Sequence, residues 1–311
     1  MDLLSSMTVY LGVEIGGTKL QAGVCDQRGR LRTLRRRQVE RKKGARGILR
    51  QLQEIIQPLL EAHSVGGIGV GFGGPVDSAR GSVVRSFHIT GWDDFPLRSW
   101  FEKRFKLPTV VENDTNVAAL AEACVGAGKG HRKVFYSNIG TGIGGGLVID
   151  STLYNGRFGA MEIGHTKLMV DGKWTTLEAR ASGLSIERRN TTLARAARYY
   201  GAALANAATL LNPDIVVLGG GVARAGQKFL RPLRAQVARL VFQPFRMNFQ
   251  IVPAALGENV VVIGAALLAA RNDAATKLGL NAPMKSAATT LRRNNGAKVR
   301  SLIAASQHRE N

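Results

Sequence analysis

One stretch, Val110–Asn116, limits what this 311-residue chain can fold into. Two β-branched apolar residues lead into Glu-Asn-Asp, and the apolar run Val117–Val125 follows. This order predicts a buried strand with a polar tip, followed by a helix that Asp114 or Thr115 caps. Ligands of α/β proteins bind at the carboxyl ends of such strands, so a carboxylate here indicates a functional site. Alternation along the strand turns Glu112 away from the residue that follows it, and we interpret Glu112 as structural.

The remaining pattern alternates strands with helices, as in α/β proteins. Strands are predicted at residues 10–15, 20–25, 68–72, 135–139, 147–149 and 215–218, with a charged strand ending near 39 and another strand near 251. Helices are predicted at residues 45–62, 97–105, 193–211, 227–240 and 258–271. Residues 140–146 are predicted to form a glycine turn, and residues 150–183 an irregular polar stretch.

The chain is strongly basic, with a formal net charge of +21 at pH 7. Much of this charge lies in the segment Arg28–Arg50 and in the tail after Ala275. Such segments fit a polyanionic partner, such as nucleic acid or polyphosphate, and they equally fit a solvated basic face that binds nothing. From Thr276 onward the chain is basic and weakly periodic, which predicts disorder.

Composition also bears on the compartment. The two cysteines, Cys25 and Cys124, lie far apart in sequence and fit a reducing environment rather than a disulfide framework. The longest apolar run, Val260–Ala270, is too short to cross a bilayer. Residues 1–12 lack the features of a signal peptide. We therefore expect a cytoplasmic protein without a membrane partner.

Two similar glycine turns begin about 125 residues apart, which is close to one domain length. They are Gly16-Gly17-Thr18-Lys19 and Gly140-Thr141-Gly142. Glycine lets backbone N–H groups approach a phosphate without a Cβ in the way, and threonine adds a hydroxyl donor. Lys19 could reach a phosphate oxygen as a point charge. A tight hairpin needs glycine too, but two matched turns favour two similar lobes with a phosphate site in the cleft between them.

Polar side chains that suit the vicinal hydroxyls of a sugar occur near these turns. They are Asn113, Asp114, Glu162, His165 and Glu178. Each alone has a structural explanation, such as a hydrogen-bonded histidine or a carboxylate at a helix start. A structural zinc needs about four N or S ligands. Residues 166–182 contain no Cys and no second His, so no zinc site is expected.

Taken together and in this order, the motifs resemble the ROK family of bacterial sugar kinases and repressors. The matching stretches are Gly12–Lys19, Gly69–Asp77, Val111–Glu122, Asn138–Gly146, Gly159–His165, Leu177–Gly183, Asn212–Val222 and Gly257–Ala270. The resemblance spans about residues 9–272 and implies an α/β, actin-like or ribonuclease H-like ATPase fold with two lobes around a central cleft. The expected lobes are residues 1–116, completed by the C-terminal helix 258–272, and residues 117–257, with a basic, disordered tail over 273–311.

The resemblance implies a role for each of these residues. Asp114 would be the catalytic base, and Glu14 would lie near Mg²⁺, with or without an intervening water. The sugar would contact Gly74, Asn113, Asp114, Glu162, His165 and Glu178. ATP would contact Gly16, Gly17, Thr18, Lys19, Thr141, Gly142, Gly220 and Gly221. The cofactors implied are ATP and Mg²⁺, and a homodimer is expected.

Two departures from the family pattern bear on this assignment. The family usually has Asp where this chain has Glu14, which keeps the charge but adds a methylene. The Cys-rich zinc loop of the family is absent, so the loop Thr166–Thr176 must be organised by packing, with Trp174 as a candidate. Because only thirteen residues precede Glu14, we expect no winged-helix domain of the kind that the family's repressors carry.

Three functions remain open at this point. The first is ATP-dependent phosphorylation of a hexose hydroxyl, with O6 implied by the resemblance. The second uses polyphosphate as the donor and is motivated by the basic segment Arg28–Arg50. The third is a non-catalytic sugar sensor or nucleic-acid-associated protein, motivated by Glu14, the missing zinc loop and the basic tail.

Overall fold

The computed structural model describes residues 8–86, 89–155, 161–246 and 248–278. Residues as far as Asp273 form one compact unit. The predicted disordered tail, residues 273–311, is wrong at its start, because residues 273–277 belong to the helix Val260–Lys277. After residue 278 the tail lies outside the described residues, and so does Gly159 of the Gly159–His165 motif. Within the described part of the chain, no helix is both long and apolar enough to cross a membrane.

The first half of the unit is built on a five-stranded sheet. Its elements in chain order are β1 (Val9–Ile15), β2 (Lys19–Asp26), β3 (Leu31–Gln38), α1 (Gly44–Ala62), β4 (Val65–Phe72), β5 (Val76–Asp77), β6 (Ser82–Val83), α2 (Leu97–Phe105) and β7 (Thr109–Asn113). The strand order is β3-β2-β1-β4-β7, with β5 and β6 as a separate small hairpin. All seven residues of β1 are buried, whereas none of β3 is. The charged edge strand β3 therefore protects one side of the sheet from pairing with other chains.

The second half repeats this plan. Its elements are α3 (Asp114–Val125), β8 (Lys133–Ile139), β9 (Ile143–Ile149), β10 (Thr152–Tyr154), β11 (Lys167–Val170), β12 (Lys173–Thr176), α4 (Leu177–Ala181), α5 (Gly183–Glu187), α6 (Leu193–Leu211), β13 (Ile215–Gly219), α7 (Gln227–Leu240), β14 (Gln250–Pro253) and α8 (Val260–Lys277). The strand order is β10-β9-β8-β13-β14. In both sheets an antiparallel hairpin, β1–β2 or β8–β9, is extended by parallel strands. The internal repeat predicted from the glycine turns is thus present in the fold.

Helices α3 and α8 pack together at the junction of the two sheets. Gly264 of α8 lies against Val117 of α3, and a Cβ on Gly264 would be 1.8 Å from the Val117 carbonyl oxygen. Only glycine permits this approach of the two backbones. A shared cluster of buried residues joins the two helices to both sheets, including Tyr10 from the first and Tyr136 from the second. The two sheets are therefore connected through one buried core at this junction.

Several sequence-based boundaries are wrong for physical reasons. Asn113, not Asp114 or Thr115, caps α3, because its backbone is still extended and its side chain accepts from two N–H groups of the first turn. The glycine turn ends at Gly142, since the next three glycines belong to β9 and pair with β8.

The stretch 150–183 is not irregular in its described part, because it contains β10, the hairpin β11–β12 and α4. Cross-strand backbone pairing organises the loop Thr166–Thr176. Trp174 does not pack there, since it is 70% exposed. The expectation that Trp174 packing organises this loop is wrong, because backbone hydrogen bonds between β11 and β12 hold it together.

Candidate active site

Asp114 is the first residue of α3 and follows β7 directly. The Asn113 Oδ1 atom accepts from the N–H groups of Thr115 and Asn116 at 2.9 and 3.2 Å. The Asn113 Nδ2 atom donates to the Gly74 carbonyl at 3.1 Å. Asn113 therefore fixes the start of α3, where Asp114 lies, and it also connects this point to the loop at Gly74, a predicted sugar contact.

Asp114 is a half-buried carboxylate that lies near other acids. Burial raises its pKa to about 6, and the negative charge of Glu14 adds to the shift, with a smaller contribution from Glu162. Hydrogen bonds from Thr115 oppose it; the hydroxyl of Thr115 donates to Oδ1 at 3.2 Å. A pKa near neutrality is what a general base needs at physiological pH.

Glu14 is buried at the end of β1, and burial raises its pKa. Its Oε2 atom accepts from Gln21 Nε2 at 2.5 Å and lies 3.4 Å from Lys19 Nζ. Lys19 also donates to the Glu258 carbonyl at 3.2 Å. The lysine predicted to reach a phosphate is thus held at the edge of the site by two acceptors of the chain itself.

The second glycine hairpin is tied to one of the predicted sugar ligands. The Gly140 N–H donates to the Gly142 carbonyl at 2.9 Å and closes the turn. Glu178, at the start of α4, accepts from the Ile143 N–H at 2.8 Å through Oε2. This contact places a carboxylate directly behind the backbone amides of the hairpin.

Glu162 precedes a short 3₁₀ turn that ends at His165, and both residues are exposed. Partial burial of the carboxyl group raises the pKa of Glu162, the charge of His165 lowers it, and that of Glu178 raises it again. These effects show that the three side chains share one electrostatic neighbourhood, which also reaches Asp114. Glu162, His165 and Glu178, three of the predicted sugar ligands, thus lie within electrostatic range of one another.

A cavity of about 260 Å³ lies between the two sheets. It is lined by Glu14, Lys19, Asp114, Thr115, Ala118, Tyr136, Asn138, Leu218, Gly219, Gly220, Ala223, Arg224, Pro253, Ala254, Gly257, Glu258, Val260 and Val261. The cavity lining therefore joins Asp114 and Glu14 to Lys19 and Gly220, two of the predicted ATP contacts. Within the described residues, the lining does not include the predicted nucleotide contacts Gly16, Gly17, Thr18, Thr141, Gly142 and Gly221.

Sequence reasoning missed two buried polar residues of this site. Gln21 is fully buried in β2. Glu122 is also fully buried, and it accepts from the N–H groups of Ala255 and Leu256 at 3.0 and 2.9 Å. It thereby anchors the loop between β14 and α8 that lines the cavity. The sequence signal that could have identified both residues is a single amide or acid among apolar neighbours, because a buried polar group needs hydrogen-bond partners.

Glu112 has the structural role predicted for it. It is buried and accepts from Ser78 Oγ at 2.7 Å, Asn116 Nδ2 at 3.0 Å and Asn155 Nδ2 at 2.6 Å. Asn155 belongs to the second half of the fold, so this acid links the two halves close to Asp114.

The donor set fits a magnesium ion that is shared with a nucleotide. Mg²⁺ is bound by one or two carboxylates together with substrate phosphates in such sites. Glu14 and Asp114 supply hard oxygen donors on one cavity wall. In the described part of the chain, no group of three or more His, Cys, Asp or Glu side chains could hold a metal by itself. The phosphates would therefore have to complete the coordination, and Glu14 is the residue that would hold the ion.

Two hairpin-led sheets, with a carboxylate at their junction, define an actin-like, ribonuclease H-like ATPase fold. The chain belongs to the ROK family, whose model matches residues 10–196 and 190–272. It is 32% identical to a glucokinase of Streptomyces coelicolor over 86% of this chain and 99% of that protein.

Solved structures agree with this assignment. A ROK family glucokinase from Streptomyces griseus in complex with glucose and AMPPNP is 32% identical, with a TM-score of 0.73 over 85% of this chain and 99% of that one. A ROK hexokinase from Thermus thermophilus is 30% identical, with a TM-score of 0.76 over 85% and 99% of the two chains. The family also includes regulators: the xylose repressor of Bacillus subtilis is 24% identical over 64% of this chain and 59% of that protein.

Proposed function

We propose that this protein is a sugar kinase that transfers the γ-phosphate of ATP to a hexose hydroxyl, with O6 as the acceptor. The observation that carries the proposal is Asp114, a carboxylate with a raised pKa that lines one cavity with Glu14 and Gly220. The similarity to glucokinases extends over nearly the whole length of those proteins, and it supports a sugar as substrate. A cytoplasmic homodimer remains our expectation for the assembled enzyme.

Asp114 acts as the general base in this mechanism. It accepts the proton of the sugar hydroxyl as that oxygen attacks the γ-phosphate in line. With a pKa of about 6, its carboxylate is mostly ionised at pH 7 yet more basic than an ordinary aspartate. The cap formed by Asn113 holds it in place, so little reorganisation is needed when the hydroxyl arrives.

The phosphate end of the site uses backbone dipoles. The N–H groups of the two glycine hairpins and the ammonium of Lys19 offset the charge that develops on the transferring phosphoryl group. When bound, Mg²⁺ neutralises phosphate charge, and Glu14 would hold it. Lys19 already donates to the Glu258 carbonyl, and its ammonium has further N–H donors for a phosphate oxygen.

The sugar end is formed by Gly74, Asn113, Glu162, His165 and Glu178. Carboxylates and an imidazole accept and donate hydrogen bonds to neighbouring hydroxyls, and a site built this way rejects analogues that lack one of them. Closure of the two lobes on the sugar would exclude water, which would otherwise compete for the phosphoryl group.

A coupled assay with about ten hexoses and ATP·Mg²⁺ tests the proposal and identifies the sugar. We expect one hexose or a small set to be phosphorylated, with the phosphate on O6 in the product's NMR spectrum. Phosphorylation at another hydroxyl would support the assignment as a sugar kinase but would contradict O6 as the acceptor. Absence of turnover with every sugar and donor, together with nucleic-acid binding that weakens steeply with salt, would favour the non-catalytic function instead.

Polyphosphate is a second candidate donor, and one contact favours it. Arg41, within the basic segment Arg28–Arg50, donates through Nε to the Gly17 carbonyl at 2.6 Å. The basic segment therefore borders the first glycine hairpin, where a phosphate chain longer than that of ATP would extend. Arg41→Gln should raise KM for polyphosphate more than KM for ATP.

Arg50→Gln is the matched control, since Arg50 is an exposed arginine of the same basic segment on α1. The control should leave both KM values close to those of the wild type. No turnover with polyphosphate as sole donor would reject this candidate.

A further inference from the structure

Three polar side chains form a row across the first sheet. Glu14 of β1 is paired with Gln21 of β2, and Gln21 is paired with Arg36 of β3. Residues directly opposite each other on neighbouring strands place their side chains on the same face. The row therefore runs from the exposed, basic edge of the sheet to the buried acid of the active site.

The hydrogen bonds along this row have a defined direction. Gln21 Oε1 accepts from Arg36 Nε at 2.6 Å, so the amide nitrogen of Gln21 must face the other way. Nε2 donates to Glu14 Oε2 at 2.5 Å and to the Glu258 carbonyl at 3.0 Å. Arg36 in turn donates through Nη2 to Asn259 Oδ1 at 2.7 Å, which ties it to the segment before α8.

The two oxygens of Glu14 consequently have different surroundings. Both the Gln21 amide and the Lys19 ammonium contact Oε2. Oε1 points towards the first glycine hairpin, where a Cβ built on Gly16 would lie 3.6 Å from it. One oxygen is tied to the sheet, and the other is turned to the predicted phosphate site.

We propose that Gln21 is a positioning residue for Glu14, which it holds by Oε2 so that Oε1 is presented to the Mg²⁺ of the bound metal–nucleotide. This inference rests on the proposed function. A glutamate has one more rotatable bond than an aspartate, and an unrestrained side chain would lose that freedom on binding the ion. The Gln21 amide removes the freedom beforehand, and Arg36 keeps the amide from flipping.

The test uses Mn²⁺, which EPR detects, titrated into the full-length protein saturated with AMPPNP. Gln21→Met keeps the side-chain length and removes all three amide hydrogen bonds, to Glu14, Arg36 and the Glu258 carbonyl. Partners that orient a metal ligand are typically worth about 10- to 100-fold in metal affinity. We expect Mn²⁺ to bind at least about 10-fold more weakly, while the affinity for the sugar stays unchanged.

Gln51→Met is the matched control. Gln51 is also a buried glutamine that holds β3, donating to the Gln38 carbonyl at 2.9 Å, but it belongs to α1 and makes no contact with Glu14. This control should lose stability and keep its Mn²⁺ affinity. In a Glu14→Asp background the shorter carboxylate withdraws from Gln21, so Gln21→Met should then have little further effect on Mn²⁺ binding.

Unchanged Mn²⁺ affinity in Gln21→Met, or an equal loss in Gln51→Met, would overturn the positioning role while leaving the kinase proposal intact. A wild-type protein that phosphorylates no hexose and binds no Mn²⁺ with AMPPNP would overturn both. Retained turnover in the wild type separates the two kinds of failure.

Discussion

Glu14 and Asp114 line one cavity, and the charge of Glu14 adds to burial in raising the pKa of Asp114 to about 6. Glu14 lies in β1, whereas Asp114 directly follows β7. They meet because β1 and β7 both pair in parallel with β4, so that their carboxyl ends lie at the same edge of the sheet. Two neighbouring carboxylates raise each other's pKa, and their combined negative charge favours the binding of a cation.

Removal of the base should abolish most of the catalysis. Asp114→Asn keeps the shape of the side chain but cannot accept the hydroxyl proton. We expect kcat to fall by at least about 100-fold, because general base catalysis contributes about 10²- to 10⁴-fold. The Kd for the sugar, measured by calorimetry, should change little. A variant with wild-type kcat would rule out Asp114 as the base.

The pH profile of kcat/KM should report the same group in the free enzyme. The base works only when ionised, so activity should rise with pH through about 6 and fall about tenfold per unit below it. Glu14→Gln removes a neighbouring negative charge, and the acidic limb should therefore move to lower pH. A limb that stays in place in this variant would show that Glu14 does not influence the titrating group.

The raised pKa also predicts a stability cost. Because the folded-state pKa of Asp114 lies above the unfolded value of 3.8, ionisation destabilises the fold as pH rises from about 4 to 6. Asp114→Asn should thus increase the free energy of unfolding at pH 7.5 by about 1 to 3 kcal/mol. The difference should shrink towards zero at pH 4. Urea unfolding at both pH values measures it, and an equal difference at both would contradict the burial of the charge.

Neighbouring glycines near the nucleotide end should respond differently to alanine. Gly220 has a φ of +87°, and a Cβ there would lie 2.4 Å from both Asn138 Oδ1 and the Ile139 carbonyl oxygen. Gly220→Ala should lower the free energy of unfolding by at least about 2 kcal/mol and weaken AMPPNP binding.

Gly221 meets no atom within 4 Å of the corresponding position, so Gly221→Ala should stay within about 0.5 kcal/mol of the wild type. Similar losses of unfolding free energy in both variants would show that the backbone conformation of Gly220 is not the cause of the effect.

Much of the architecture follows from local pattern. The predicted helices 97–105, 193–211 and 227–240 match the observed bounds of α2, α6 and α7, since apolar spacing and capping are properties of neighbouring residues. The strand with a polar tip at Asp114 and the two glycine hairpins are equally local. The resemblance carried by these motifs was confirmed by the family assignment.

Chain pattern alone therefore determined the α/β class and the order of the main strands and helices, and the resemblance carried by its motifs implied Asp114 as the base. The tertiary structure decided what surrounds that acid: the charge of Glu14, the amide of Gln21 and the loop anchored by Glu122. These contacts join residues that are distant in sequence. Neither hydrophobic periodicity nor secondary-structure propensity predicts which strands are neighbours in a sheet. The reason is physical, because the pKa of a buried carboxylate and the direction of its free oxygen depend on the groups that packing brings near it.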